Sequence, residues 1–390
     1  MENQSRGLQS GPFEKRLKIG ILGGGQLGRM LIQEALDLDI NISVLDPAAD
    51  APCAGICHSF VRGSFNDFDT VIAFGQDKDV VTIEIENVNT DALAELEKKG
   101  VRVLPTPALL AMVKDKGLQK QFYARHNIPT ADFILVENKA GILNSGFGFP
   151  MVQKLRTGGY DGRGVQVLRS ADDMDRAFDA PSVLEKAVDI AMELSVIVAR
   201  NAAGQSVTFP VVELVFDPRV NLVDLLVAPA RISEETAEKA KDVALSVVEK
   251  SGFVGLLAVE LFLSNSGQIL VNEIAPRPHN SGHHTIEANV TSQYGQHLRA
   301  ILDLPLGSPD TLKAGAMVNL LGAAGHDGAV RYEGMEKVLA EPGVFVHLYG
   351  KSHTKPFRKM GHITILANSP DEALERAMKV KEMVAVKARV

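Results

Sequence analysis

A short apolar run that ends directly in glycines constrains the fold more than any other segment of this chain. Residues 17–22 (LKIGIL) read as a buried parallel strand, and Gly23-Gly24-Gly25-Gln26-Leu27-Gly28 follow without a spacer. The next stretch has helical spacing, with Leu27, Met30, Leu31 and Ala35 on one face. Residues 42–45 form a second strand that closes on Asp46. The unit is βαβ, which demands a parallel sheet. Residues 80–84, a helix near 90–99 and residues 101–104 repeat the alternation, and Pro105 and Pro107 punctuate its end. The expected architecture is a doubly wound α/β domain. Its glycines at 23, 25 and 28 fit G-x-G-x-x-G, and Asp46 stands 18 positions after Gly28, near the place of a ribose-binding carboxylate in a dinucleotide site. Two other readings stay open: glycines that merely permit a tight turn, and helix-start N–H groups that hold another anion such as a sugar phosphate. Glu84 and Glu86 fall at the carboxyl edge of the sheet, where open α/β folds bind ligands.

The middle of the chain carries a different signal. Residues 149–154 read as a strand bearing Lys154, and residues 165–168 as its return. Between them Thr157-Gly158-Gly159-Tyr160-Asp161-Gly162-Arg163-Gly164 places four glycines in eight residues. A glycine hairpin flanked by Lys154 and containing Arg163 suits closure over a polyphosphate, although it is not the G-x-x-x-x-G-K-[ST] loop. Residues 183–188 form a further strand, able to offer backbone groups to an adenine edge, with Glu193 eight residues after Glu185. Ser233 caps a helix whose apolar positions are Ala237, Ala240, Ala244, Val247 and Val248, and Gly252 ends it. Residues 256–263 and 268–274 then make a hairpin with one carboxylate on each strand, Glu260 and Glu273. Two carboxylates in apolar surroundings call for a cation between them, and oxygen ligation beside Asn272 favours Mg²⁺. The run Ala275-Pro276-Arg277-Pro278-His279-Asn280-Ser281-Gly282-His283-His284-Thr285 is rich in donors and reads as an active-site floor, its histidines suited to anion contacts rather than to zinc.

Composition excludes several classes. At about 150 residues per domain, 390 residues imply two to three domains. Forty-one basic against 48 acidic residues give a net charge of −7, the wrong sign for a nucleic-acid binder. No apolar run approaches the roughly 18 residues of a membrane span. Residues 1–15 lack the apolar core of an export signal and read as a disordered start. Cys53 and Cys57 are too few for a disulfide framework and point to a reducing cytoplasm; with His58 they spell C-x3-C-H, but no second ligand pair follows, so buried or partly buried thiols are expected.

Taken together, Lys116, Lys154, the TGGYDGRG loop, Glu185, Glu193, Glu260 and Asn272-Glu273 resemble the ATP-grasp superfamily. More narrowly, GGGQLGRM, RTGGYDGRG at 156–164, NEIAPRPHNSGHHT at 272–285 and the C-terminal Lys351, Lys355-Pro356 and Arg358–His362 are similar to the 5-(carboxyamino)imidazole ribonucleotide synthases of purine biosynthesis. The likeness runs from about Arg16 to the end. It implies an ATP-grasp fold, mixed α/β and α+β, with an N-terminal Rossmann-like domain at 16–115, a lid at 116–190 and a core at 191–390 that carries the metal and substrate-phosphate sites. The implied reaction is ATP-dependent carboxylation of 5-aminoimidazole ribonucleotide by bicarbonate through carboxyphosphate. ATP would meet Lys116, Lys154, the loop residues Gly159, Tyr160, Asp161, Gly162, Arg163 and Gly164, the segment Glu185, Lys186, Ala187 and Val188, and Glu193, Asn272 and Glu273. Glu260 and Glu273 would bind Mg²⁺, with Mn²⁺ as the alternative ion. Tyr160, Asp161, Arg163 and Arg277 would be catalytic, Arg277 holding the carboxylate anion. Gly25, Gln26, Leu27, Glu84, Asn280, Ser281, Lys351, Arg358 and Lys359 would bind the ribonucleotide, the last three residues through its 5′-phosphate. The resemblance also implies a cytoplasmic homodimer and a separate mutase for the next step, with no nucleic-acid or membrane partner. Two positions depart from the pattern. Phe357 stands where a glycine is usual, so a different backbone is expected there, and Phe216 stands where a histidine is frequent. Competing readings are a formate-using glycinamide ribonucleotide transformylase of the same fold and an NAD-dependent oxidoreductase built on the first βαβ unit.

Overall fold

The computed structural model describes residues 13–159, 164–217 and 222–389. Its first layer is a five-stranded parallel sheet in the order Ser59–Arg62, Ile42–Asp46, Ile19–Leu22, Val80–Ile83, Arg102–Val103. Ile19–Leu22 is buried at all four positions, because helices cover both faces of this central strand. One cover is the helix Gln26–Leu36, which turns Leu27, Met30, Leu31 and Ala35 into a core shared with Tyr294 and Leu298. The opposite cover is Phe68–Gly75 with Thr90–Lys98, whose Val71, Phe74, Leu93 and Leu96 pack on Leu22 and Val81. The strand order reverses between Ile19–Leu22 and Val80–Ile83. That switch point brings the glycine turn against Glu84 at the carboxyl edge of the sheet.

A four-stranded antiparallel sheet follows, in the order Phe133–Val136, Ser182–Lys186, Met151–Leu155, Val165–Leu168. The glycine loop joins the last two strands, and Lys154 lies opposite Val165 on one side and Val183 on the other. The hairpin expected around the loop is therefore present, although residues 160–163 lie outside the described residues.

The third layer is a nine-stranded sheet. From one edge it runs Ile269–Ala275, Gly255–Ser264, Ile190–Arg200, Val212–Asp217, Leu222–Ala228, Ala314–Leu321, Lys359–Ala367, Val344–Leu348, with Ser206–Thr208 added to Ile190–Arg200. The helix Glu234–Ser251 lies across its first part. Ser233 accepts from the Thr236 N–H at 3.2 Å, and Gly252 ends the helix at φ 65°, the left-handed cap that glycine adopts without a Cβ penalty. Its buried Ala240, Ala244, Val247 and Val248 pack among Leu194, Val196, Val259 and Leu261. The helix Pro370–Met383 covers the second part through Ala373, Ala377 and Val380. Between 190 and 230 the strands pair partly with near neighbours, Val212–Asp217 with Leu222–Ala228, and partly at long range, Ile190–Arg200 with Gly255–Ser264 and Leu222–Ala228 with Ala314–Leu321.

Candidate active site

Glu260 and Glu273 are directly opposed in the antiparallel pair Gly255–Ser264 and Ile269–Ala275. The register slips immediately beside them: Leu261 faces Val271, so Asn272 is an extra residue. In a regular strand Asn272 and Glu273 would point to opposite faces. The bulge turns both toward the same lysine-lined cleft. Lys154 Nζ donates to Asn272 Oδ1 at 2.7 Å, and Lys116 Nζ donates to Glu273 Oε2. The two carboxylates titrate apart. The Lys116 ammonium holds Glu273 below the usual carboxylate range, whereas burial, then the charges of Glu273 and Glu193, push Glu260 up. Burial also raises Glu193, to about 7. Among the described residues no cluster of three or more His, Cys, Asp or Glu side chains would hold a metal by protein ligands alone. An opposed carboxylate pair, one member protonated for want of a counter-charge, fits a hard cation that takes its remaining oxygens from phosphate and water.

A set of lysines faces this pair. Asp115 caps the helix Lys116–Arg125 by accepting from Gly117 N–H at 2.7 Å and Leu118 N–H at 3.2 Å. The same carboxylate takes Arg156 at 2.6 and 3.0 Å, which fixes the helix start against the mouth of the glycine loop. Lys116 and Lys120 are one turn apart on this helix. Glu185, only 3% exposed, divides its oxygens between Lys120 at 3.0 Å and Lys154 at 2.9 Å. Its carboxylate thus points into the lysines rather than outward. Lys186, Ala187 and Val188 form the outer part of that segment, with Lys186 N–H donating to Asp132 O and Ala187 N–H to Pro150 O. Gly164 adopts φ 78° where the loop re-enters its strand, and Gly159 is half-buried at the other end. Tyr160, Asp161, Gly162 and Arg163 lie outside the described residues, as does the Phe216 side chain.

The switch point makes the second half of the site. Gly24 N–H donates to Asp46 Oδ2 at 2.7 Å, Gly25 N–H to Glu84 Oε2 at 3.1 Å and Leu27 N–H to Glu84 Oε1 at 3.4 Å. The helix N-terminus therefore already has its N–H groups taken by an acidic side chain of the protein itself. A Cβ on Gly25 would lie 2.3 Å from Glu84 Oε1, and one on Gly28 3.0 Å from Cys53 Sγ. These glycines serve close packing, and a dinucleotide pyrophosphate has no free N–H cradle here, which removes the oxidoreductase reading. Gln26 is half-buried beside them. Burial raises the Glu84 carboxyl against the lowering effect of its two N–H bonds, Arg277 and Lys351. Arg277 Nη2 lies 2.7 Å from Glu86 Oε1, so this arginine, four residues beyond Glu273, ties the carboxylate hairpin to the switch point. Cys53 is buried and Cys57 half-buried, both free.

Lys351 is near enough to Glu84 to lower its carboxyl. Lys351 Nζ donates to Lys359 O at 2.7 Å and lies 5.5 Å from the Tyr349 ring centroid; Arg358 Nη1 donates to His353 O at 2.6 Å. Phe357 adopts φ 63°, with its N–H on Gly322 O at 2.8 Å. This left-handed conformation favours glycine, and phenylalanine bears the strain there, about 1–2 kcal/mol.

The donor-rich run 275–285 does not face the cleft throughout. His279 Nε2 is 3.5 Å from Glu260 Oε1, and its Nδ1 is 2.9 Å from Ser281 Oγ, which meets Ser195 Oγ at 2.8 Å. Asn280 exchanges amide hydrogen bonds with Asn319 at 2.9 and 3.1 Å. His283 and His284, expected to contact an anion, are instead buried at 1% and 3% exposure. His283 Nδ1 meets Tyr294 OH at 3.0 Å, and its ring packs 4.8 Å from that of His362. Burial drives both rings toward the neutral form, His284 to about 4, which unsuits them to hold an anion by charge. Lys120 and Asn319 adjoin these residues without having been singled out from sequence, whereas His279 belongs to the donor-rich run read as the floor. Only Lys120 had a legible signal, its one-turn spacing from Lys116.

Three segments match known families: residues 16–114 the ribonucleotide synthetase preATP-grasp domain, residues 121–294 the ATP-grasp domain, and residues 315–376 the phosphoribosylaminoimidazole carboxylase C-terminal domain. The chain is 40% identical over 374 residues to the N5-carboxyaminoimidazole ribonucleotide synthase of Synechococcus elongatus, across 94% of this chain and 93% of that protein. The crystal structure of N5-carboxyaminoimidazole ribonucleotide synthetase from Thermotoga maritima aligns with a TM-score of 0.89 at 41% identity, over 96% of this chain and 100% of that one. The synthase from Aspergillus clavatus, crystallised with ADP and 5-aminoimidazole ribonucleotide, aligns at 0.87 and 35% identity, over 94% and 98%. The chain spans about two thirds of the length of the fungal phosphoribosylaminoimidazole carboxylases it matches, 65% to 68%.

Proposed function

Since the chain belongs to the N5-carboxyaminoimidazole ribonucleotide synthase family of ATP-grasp ligases, we propose that it carboxylates 5-aminoimidazole ribonucleotide with bicarbonate at the expense of ATP, in purine biosynthesis. The observation that carries the reading is Arg277. Four residues beyond Glu273 it pairs with Glu86 at the switch point, so the carboxylate hairpin and the glycine-turn domain meet at this arginine and a phosphoryl-transfer end adjoins a ribonucleotide end.

A bicarbonate oxygen attacks the γ-phosphorus, the bond to the β-phosphate oxygen breaks, and ADP leaves. The exocyclic amine of the ribonucleotide then attacks the carbonyl carbon of carboxyphosphate, phosphate departs, and the nitrogen gives up its proton. Lys116 and Lys154 neutralise charge on the transferred phosphoryl group, a mainly electrostatic task. Glu260 and Glu273 hold Mg²⁺, or Mn²⁺, which when bound screens the phosphate oxygens and keeps Glu260 ionised. Arg277 holds the carboxylate anion by charge-assisted bonds, and Lys351, Arg358 and Lys359 hold the 5′-phosphate. Gln26, Glu84, Asn280 and Ser281 line the ribonucleotide; Glu185–Val188 and Glu193 line the nucleoside. The loop 157–164 closes over carboxyphosphate and keeps water from it, with Tyr160, Asp161 and Arg163 orienting the amine. The division 16–115, 116–190 and 191–390 belongs to the same proposal. So do a cytoplasmic homodimer and a separate mutase for the product.

The test is ADP release with Mg²⁺ and ATP, omitting bicarbonate or the aminoimidazole ribonucleotide in turn. Dependence on both supports the carboxylase. Dependence on formate and glycinamide ribonucleotide instead would transfer the chain to the transformylase reading and refute the proposal. Sedimentation at twice the chain mass, 84 kDa against 42.0 kDa for one chain, supports the dimer.

A further inference from the structure

Lys120 is 2% exposed, yet its ammonium sits at the junction of three elements that carry the site. It rises from the helix Lys116–Arg125 and meets Glu185 Oε1 on the strand Ser182–Lys186 at 3.0 Å. It also donates to Thr130 Oγ1, which donates to Val271 O at 2.7 Å, one residue before the bulge that aims Asn272 and Glu273. The other oxygen of Glu185 takes Lys154 at 2.9 Å, and Lys154 reaches Asn272 at 2.7 Å.

Lysine has three N–H donors and no acceptor. Lys154 donates to Asn272 and is ion-paired with Glu185, which leaves it a further proton for a phosphoryl oxygen in the cleft. This division depends on Lys120. Without it, Glu185 Oε1 is a buried carboxylate oxygen facing no counter-charge, and the nearest remaining ammonium able to answer it is Lys154. We infer that Lys120 is a positioning residue, which holds Glu185 so that Lys154 spans Glu185 and Asn272 and points its remaining proton at the transferred phosphoryl group. The pole then carries three ammonium groups against Glu185 and Glu273. Burial, reinforced by Lys154 and Lys116 and opposed by Glu185, lowers the Lys120 amine to about 8, so it is still mainly charged at neutral pH.

The inference rests on the carboxylase reading for its turnover assay but not for its binding assay. Lys120→Met, Lys120→Arg, Glu185→Gln and the Lys120→Met/Glu185→Gln pair are compared in the full chain. For Lys120→Met, kcat for ribonucleotide-dependent ADP release falls at least tenfold while KM for the ribonucleotide stays within twofold. Lys120→Arg, which keeps the charge, recovers kcat to within about threefold of the parent. Glu185→Gln loses a similar factor, and the pair loses no more than either single change, because both act through the placement of Lys154. Calorimetric titration with MgATP, which needs no acceptor substrate, shows weaker binding in Lys120→Met, and this arm reads out even if the parent turns over a different acid. Should Lys120→Met fail to fold, the pair, which buries no unmatched carboxylate, carries the test against Glu185→Gln alone. Parental kcat and MgATP affinity in Lys120→Met, equal losses in Lys120→Met and Lys120→Arg, or losses that multiply in the pair would each overturn the inference.

Discussion

His297 offers a direct measurement of what burial does to an imidazole in this fold. It lies on the helix Gln293–Ile301 at 1% exposure, with Nε2 3.3 Å from Thr82 Oγ1 and Nδ1 buried without a partner. Burial is the sole cause of its shift, from the ordinary 6.5 down to about 4. In the unfolded chain the ring takes up a proton as pH falls through 6.5; in the folded chain it stays neutral until about 4. Between those values the unfolded state binds one more proton, so acid favours unfolding through this residue. At pH 5.0 the gap is 1.5 units below the unfolded value, and at about 1.36 kcal/mol per unit this amounts to about 2 kcal/mol. His297→Gln removes the titration and leaves other groups untouched, so they cancel in the difference between the two proteins. At pH 7.5 the variant is the less stable by about 1–3 kcal/mol, from lost packing and an imperfect partner for Thr82. By pH 5.0 that deficit shrinks by about 2 kcal/mol, to between a deficit and an advantage of about 1 kcal/mol. Guanidinium unfolding of both proteins at pH 7.5, 6.5, 5.5 and 5.0 measures the difference. A deficit constant to within about 0.5 kcal/mol across this range would show that the folded protein protonates His297 as readily as the unfolded chain does, and would refute the reasoning.

Two further outcomes follow from the site. Glu260 is pushed toward its neutral form by burial and by Glu273 and Glu193, so loading of the carboxylate pair with MgATP at pH 7 expels a proton; calorimetry in buffers of different ionisation enthalpy reads the release, and Glu260→Gln abolishes it along with at least a hundredfold of kcat. Gly25→Ala sets a Cβ 2.3 Å from Glu84 Oε1 and forces the carboxylate off the Gly25 and Leu27 N–H groups; a loss of about 1 kcal/mol in stability and a severalfold rise in KM for the ribonucleotide are expected, and unchanged values for both would mean that Glu84 is not fixed by that turn.

Much of the local structure was legible because it rests on neighbours in sequence. The strand, glycine turn and helix at 19–36 follow from an apolar run that meets residues without a Cβ. The helix Glu234–Ser251 follows from Ser233 at its start, Gly252 at its end and alanines and valines at helical spacing. The hairpin that carries Glu260 and Glu273 follows from two apolar strands around Ser264-Asn265-Ser266-Gly267. The helix Pro370–Met383 starts in the same local way, with Ser369 Oγ accepting from Glu372 N–H at 3.2 Å and Glu372 accepting from Asn368 N–H at 3.0 Å.

What the sequence determined by itself, then, is the identity of the chemical groups and the short elements that bear them, because caps, turns and periodic faces are decided within a few residues. Only the tertiary structure decided which of those groups meet. Alternation along residues 269–275 would put Asn272 and Glu273 on opposite faces, and it is the slipped register against residues 255–264 that brings them to one cleft. The glycine turn has the spacing of a pyrophosphate site, yet Glu84, 59 residues away in the chain, fills its N–H groups. Glu185, expected on the segment that meets ATP, has its carboxylate drawn to Lys120 and Lys154, each supplied by a different element. His283 and His284 look like exposed donors until the helix Gln293–Ile301 and the strand Lys359–Ala367 close over them. In each case the deciding partner lies on another element, as near as the next strand of the same hairpin for Asn272 and 59 residues away for Glu84 and Gly25. Long-range burial and charge pairing fix such contacts, and neither leaves a periodic mark on the segment it acts upon.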